Sequence, residues 1–152
     1  MTHKVIDKPS RISVTTTEIE IDAPVSVVFA AWFDEPDQWF YENEESKTQR
    51  PTRCDRRLGG HFYMQLPDGG FNSIGQITMI KPNKKIRMRG DCTMPWAVVM
   101  NMTISFDETG SGGTKVSVDH RMMGEFDDDA PAGFEEGWLD GLQKLKMLLE
   151  SR

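Results

Sequence analysis

The chain has 152 residues, with 18 Lys and Arg against 24 Asp and Glu for a formal net charge of −6, and no basic block interleaved with aromatics, which argues against a nucleic-acid partner. No apolar run approaches the roughly 20 residues of a membrane span, and the N-terminus lacks the apolar core of a secretory signal, so a cytoplasmic location is expected. Cys54 and Cys92 are the only cysteines, with no Cys-x-x-Cys and no histidine at ligand spacing, so no metal site, disulfide framework or cofactor is expected.

The length suits one domain. Residues 1–12 carry His3, Lys4, Lys8, Pro9 and Arg11 with little apolar content, and are expected to form a flexible arm before a single domain at 13–152. Ser13 to Ile21 is rich in β-branched residues, and its alternation predicts a half-exposed strand with Thr17, Ile19 and Ile21 on one face. Asp22-Ala23-Pro24 then opens a helix, Asp22 standing where a capping carboxylate belongs and Val25, Val28, Phe29 and Trp32 giving it an apolar face. Asp34-Glu35-Pro36-Asp37 ends that helix and leads into a short second one carrying Gln38-Trp39-Phe40-Tyr41. These aromatics, beside the acidic run Glu42-Asn43-Glu44-Glu45, form either a lid over a cavity or a plug that closes a core.

From residue 52 to residue 121 the pattern is repeated antiparallel strand. Cys54 to Leu58 passes through Gly59-Gly60 into His61 to Leu66, and Pro67-Asp68-Gly69-Gly70 turns the chain into Phe71 to Ile80. Lys85 to Gly90 alternates Ile86 and Met88 against Arg87 and Arg89, a dry face against a solvated one. After the loop Thr93-Met94-Pro95-Trp96, Val98, Met100, Met102, Ile104 and Phe106 alternate along a further strand. A glycine-rich turn at residues 108–113 leads to the last strand, which places Val116, Val118 and His120 on one side.

The chain closes on a long amphipathic helix. Phe134, Trp138, Leu142, Leu145 and Leu149 recur at steps of three and four and make one apolar stripe. An aspartate run at 127–129 suits its first turn, Pro131 is tolerated where the first N–H has no partner, and Lys144, Lys146 and Arg152 suit the far end of the dipole. Gly137 and Gly141 each cost roughly 1 kcal/mol of helix propensity relative to alanine. They imply either close packing of the helix or room for a ligand. This order of elements, a strand, two short helices, about six antiparallel strands and a terminal helix, belongs to the α+β class, with a curved sheet taking the helix stripe.

Several stretches, at this order and spacing, resemble the START-like (SRPBCC) helix-grip superfamily, and within it the group named for homology to the activator of the heat-shock-protein ATPase. They are Ile21-Asp22-Ala23-Pro24 with Val27 to Trp32; Asp34-Glu35-Pro36 with Trp39-Phe40; Asp55 to Phe62; Gly113 to Val116 with His120; and Glu135 to Trp138 with Leu142 and Leu145. The resemblance covers about residues 14–150. It implies a helix-grip fold of six to seven strands around the terminal helix, enclosing an apolar cavity that in relatives holds lipids, polyketides or hormones.

Alternation points Phe62, Met64, Met88, Met100 and Met102 inward towards Trp138, an arrangement that a plain core and a ligand cavity explain equally. With Trp39, Phe40, His120 and Leu142 they make the candidate set for a small apolar or amphipathic ligand. No carboxylate or nucleophile can be placed in space beside the His120 ring from the sequence, and it reads as a core histidine rather than a general base. No nucleophile elbow, phosphate loop or dinucleotide fingerprint is present, so no catalytic residue is assigned. The functional expectation is non-catalytic binding. The alternatives are a protein-interaction module with a chaperone or other protein partner, and a cyclase or hydrolase of polyketide type; a homodimer stays open.

Overall fold

The computed structural model describes residues 2–40 and 51–152. Tyr41 and the acidic run Glu42 to Glu45 lie outside the described residues. The elements run β1 (Arg11–Ile21), α1 (Val25–Asp34), α2 (Pro36–Trp39), β2 (Thr52–Cys54), β3 (His61–Gln65), β4 (Phe71–Lys81), β5 (Lys85–Gly90), β6 (Val98–Glu108), β7 (Thr114–Gly124) and α3 (Ala130–Glu150).

The strands form one antiparallel sheet of seven, ordered β1-β7-β6-β5-β4-β3-β2, so all neighbours but β1 and β7 follow one another along the chain. Side-chain alternation then gives every strand one face towards α3. The inner face is built of cross-strand rungs. Met88, Met102, His120 and Thr15 stand opposite one another across β5, β6, β7 and β1, and Ile86, Ile104, Val118 and Thr17 form the next rung. The outer face carries exposed Arg87 and Arg89.

Curvature has a local cause where β4 meets β5. A Cβ on Gly90 would lie 2.6 Å from Gly75 Cα and 2.8 Å from Ile74 O, so the two backbones approach as only glycine allows. Register shifts at Phe62/Tyr63 and between Ile77 and Met79 bend the same half of the sheet.

The long helix lays Trp138, Leu142, Leu145 and Leu149 into the concave side, all buried, with Phe134 half-buried at its N-terminal end. Each large apolar side chain fully buried in this way contributes about 1.5–3 kcal/mol. The capping expectations fail at both helices. Asp129, at the N-cap of α3, has helical φ −83° and ψ −12°, not the extended backbone from which a carboxylate reaches back to the first N–H groups, and it makes no cap bond. Pro24, not Asp22, is the N-cap of α1, and the Asp22 N–H instead donates to Glu150 Oε1 at 2.8 Å.

The N-terminal strand begins at Arg11, two residues earlier than the alternation of hydrophobics indicates. Arg11 pairs with Asp128 and lies 4.3 Å from the Phe126 ring centroid, while Lys8 pairs with Glu125 at 2.6 Å. Both contacts are exposed, so each adds little stability.

Candidate functional site

Trp138 is the centre around which the candidate residues gather. The 3.6-residue repeat of α3 turns its indole towards the sheet, where it stacks on Trp32 of α1 with ring centroids 5.9 Å apart and 12° between planes. Phe40 lies 5.5 Å from Trp138 and 5.2 Å from Phe62, and so connects helix to strand β3. The methionines complete the surface. Met88, Met100 and Met102 are fully buried on β5 and β6, and Leu142 is buried one turn along the helix.

Trp39, Phe62, Met88, Met100, Met102, Trp138 and Leu142 therefore belong to one buried cluster, with Phe40 and Met64 half-buried against it. Within this group Trp39 is a plug. It is 0 % exposed, its Nε1–H donates to Ala31 O at 3.3 Å, and its ring supports the helix backbone, a Cβ at Gly141 falling 3.7 Å from Trp39 Cζ3. Gly141 thus lies against α2 rather than the sheet, at a distance where a methyl would still make ordinary contact, so close packing does not by itself require glycine there. Gly137 is exposed with nothing within 4 Å of an added Cβ, so neither packing nor ligand room accounts for it.

His120 joins the site through the helix. Trp138 Nε1–H donates to His120 Nδ1 at 3.0 Å, and the Phe134 ring stands edge-on at 4.5 Å between centroids. Burial pushes the imidazole down to about 4, against a small opposing pull from Asp119, so the ring is neutral at pH 7. Because Nδ1 accepts the indole proton, the imidazole's own proton sits on Nε2. Neither nitrogen then offers a free lone pair, and His120 is equipped to donate a hydrogen bond rather than to act as a base.

Trp32 in the same cluster, Phe134 packed against it, and Thr15 and Thr17 on the same inner face were not singled out as site residues by sequence. Trp32 reads as the apolar face of α1, and nothing in the chain announces that it will stack on a residue more than a hundred positions away. The threonines carried a weak signal: two hydroxyl side chains on the inward phase of a strand, immediately before the inward Ile19 and Ile21.

A concavity of about 400 Å³ lies outside this core between α1, α2 and β2, lined by Phe33, Asp34, Pro36, Asp37, Thr52, Arg53 and Cys54. Its thiol is not a nucleophile at neutral pH, since burial, with Asp55 and Asp34 adding to it, pushes Cys54 up to about 12. Cys92 is likewise raised to about 12 by burial. No cluster of metal-ligating side chains occurs among the described residues, and no described helix is long and apolar enough to cross a membrane.

Comparison with known proteins agrees with this architecture. The family model described as "Activator of Hsp90 ATPase homolog 1-like protein" matches residues 22–150. No curated protein matches by sequence. Among solved structures, a protein from Rhizobium leguminosarum superposes with a TM-score of 0.73 at 24% identity, covering 95% of this chain and 98% of that one. CalU16 from Micromonospora echinospora gives 0.65 at 20% identity over 93% of this chain and 87% of its own. DynU16, from the dynemicin biosynthetic locus, gives 0.66 at 19% identity, with 90% of this chain matching 47% of that one. At these identities the likeness concerns the fold alone.

Proposed function

The chain belongs to the family of activator of Hsp90 ATPase homolog 1-like proteins, and from that premise we propose that it binds a small apolar or amphipathic molecule between α3 and the sheet, without catalysis. The observation that carries this reading is the setting of Trp138. One side is held by aromatics, the facing rungs are thioethers, and the border at Phe40, Met64, Met94 and Phe134 is only half-buried. Unbranched thioethers change rotamer at low cost and fit varied shapes, so an inner face carrying Met88, Met100 and Met102 can move aside for a guest. Burying a further 100 Å² or so of a guest's apolar surface is worth roughly 2–3 kcal/mol.

Titration of the protein with fatty acids, sterols and fused-ring aromatics, followed by tryptophan emission, tests the reading. Saturable quenching or a spectral shift is expected, and Trp138→Phe should weaken the tightest ligand about tenfold, the loss typical of trimming a central aromatic anchor. No response from any compound, in emission or melting temperature, would overturn it.

A protein-interaction role has one observation of its own. On the outer face Ile12 and Val99 both stand opposite Met123, and with Val14 they leave an exposed apolar strip across β1, β7 and β6. Within the aromatic segment Trp39 to Tyr41, Trp39 is wholly buried and is not available to such a partner, while Tyr41 lies outside the described residues. On this second reading the chain stimulates the ATPase of purified Hsp90 and Met123→Glu abolishes the effect; an unchanged ATPase rate with the wild-type protein rejects it.

A further inference from the structure

Two buried polar groups on adjacent strands of the inner face have no hydrogen-bond partner among the described residues: His120 Nε2 on β7 and Thr17 Oγ1 on β1. Both residues are more than nine-tenths buried, at 2 % and 7 % exposure. The register places Thr15 opposite His120 and Thr17 opposite Val118, which makes Thr17 and His120 diagonal neighbours on one face, about 7 Å apart. An unmade hydrogen bond in such a place is costly, and a core that needed only to be filled would not keep a donor and a hydroxyl side by side without partners.

The surroundings restrict what could satisfy them. The donor is the Nε2–H, because Nδ1 is already taken by Trp138. Around it stand Met102 on the next strand, the Phe134 ring and the indole. None of the buried inward residues of β5, β6, β7 and β1 is charged, and the half-buried Lys144 on α3 has Asp140 as its ion-pair partner at 2.9 Å, although its Nζ makes no well-aligned hydrogen bond among the described residues. A carboxylate or ammonium placed here would be buried without a counter-ion among the described residues.

We infer that the bound molecule is uncharged and carries a carbonyl-type oxygen that accepts the His120 Nε2–H, with the Thr17 hydroxyl at the same polar end. This rests on the binding reading above and specifies the chemistry of its ligand. An apolar body would lie along the methionine rungs, and the oxygen would mark the β7–β1 side of the site.

The test compares 2-acetylnaphthalene with 2-ethylnaphthalene, near-isosteres that differ in the acceptor, by calorimetry on the wild-type chain, His120→Phe and His120→Gln. The ratio of ketone to hydrocarbon affinity should fall about fivefold in His120→Phe, the worth of one net hydrogen bond, and should hold in His120→Gln, whose amide keeps a donor there. In wild-type protein the His120 Nε2–H proton resonance should shift with the ketone and not with the hydrocarbon, a readout that does not depend on either variant folding. An unchanged ratio with an unmoved resonance overturns the acceptor inference and leaves the binding site standing, since the hydrocarbon still binds. Failure of both compounds to bind the wild-type chain at saturation overturns the site itself and this inference with it.

Discussion

A neutral imidazole sealed beside an indole makes the protein's stability depend on pH in a definite window. In the unfolded chain His120 titrates near its ordinary value of 6.5, whereas burial holds it near 4 in the fold. Above pH 6.5 the ring is neutral in both states, and its contribution is fully present. As pH falls towards 4 the unfolded chain takes up a proton that the folded one refuses, and stability is lost at up to about 1.4 kcal/mol per pH unit. Glu35 and Glu150 are held below the usual carboxylate range, chiefly by hydrogen bonds from Arg152 and Lys146, and so weaken the fold only below about 4.5. Urea midpoints measured between pH 6.5 and 5 should therefore fall in the wild-type protein and stay flat in His120→Gln. A flat wild-type profile would mean that the imidazole is not held neutral by burial.

At the scale of elements, two glycines in nearly opposite circumstances give opposite expectations. Gly137 sits on the exposed side of α3 with open space around it, so Gly137→Ala should stabilise the protein by up to about 1 kcal/mol through helix propensity alone. Gly90 ends β5 against the backbone of Gly75, and a methyl there has nowhere to go, so Gly90→Ala should cost about 1–3 kcal/mol and flatten the β4–β5 curve. Chemical denaturation of the two variants checks both signs. The comparison also marks what was legible in the chain. Periodicity located α3, its stripe and the alternating strands, because a period of 3.6 or 2 is a local property that burial then enforces. It placed Met88, Met100 and Met102 on one inward face for the same reason. The caps failed at Asp22 and Asp129 because a cap depends on the backbone angle of a single residue, which tertiary contacts decide. The Trp138–His120 bond and the Trp32 stack join residues of different elements, and no local pattern encodes which partners a curved sheet will bring together.

Across the whole molecule, the two ends of α3 are secured unequally. Near its C-terminus Glu150 accepts the Asp22 N–H at 2.8 Å, Lys146 donates to Glu20 O at 2.8 Å, and Arg152 pairs with Glu35 through Nη1 at 3.0 Å. These contacts are individually weak, but they converge on a segment whose Leu145 and Leu149 are buried. The other end has no side-chain cap, carries Gly133 and Gly137 in open space, and covers the site with a half-buried Phe134. A helix fixed at one end and loosely packed at the other opens from the loose end first, because local unfolding follows the smallest loss of buried contacts. Amide hydrogen exchange should accordingly be slower at residues 142–149 than at 133–138, with the step near Trp138. A guest bound beneath Phe134 should slow the second group and leave the first unchanged. Uniform protection along α3, or a ligand effect confined to its C-terminal turns, would place the route into the site elsewhere on the molecule.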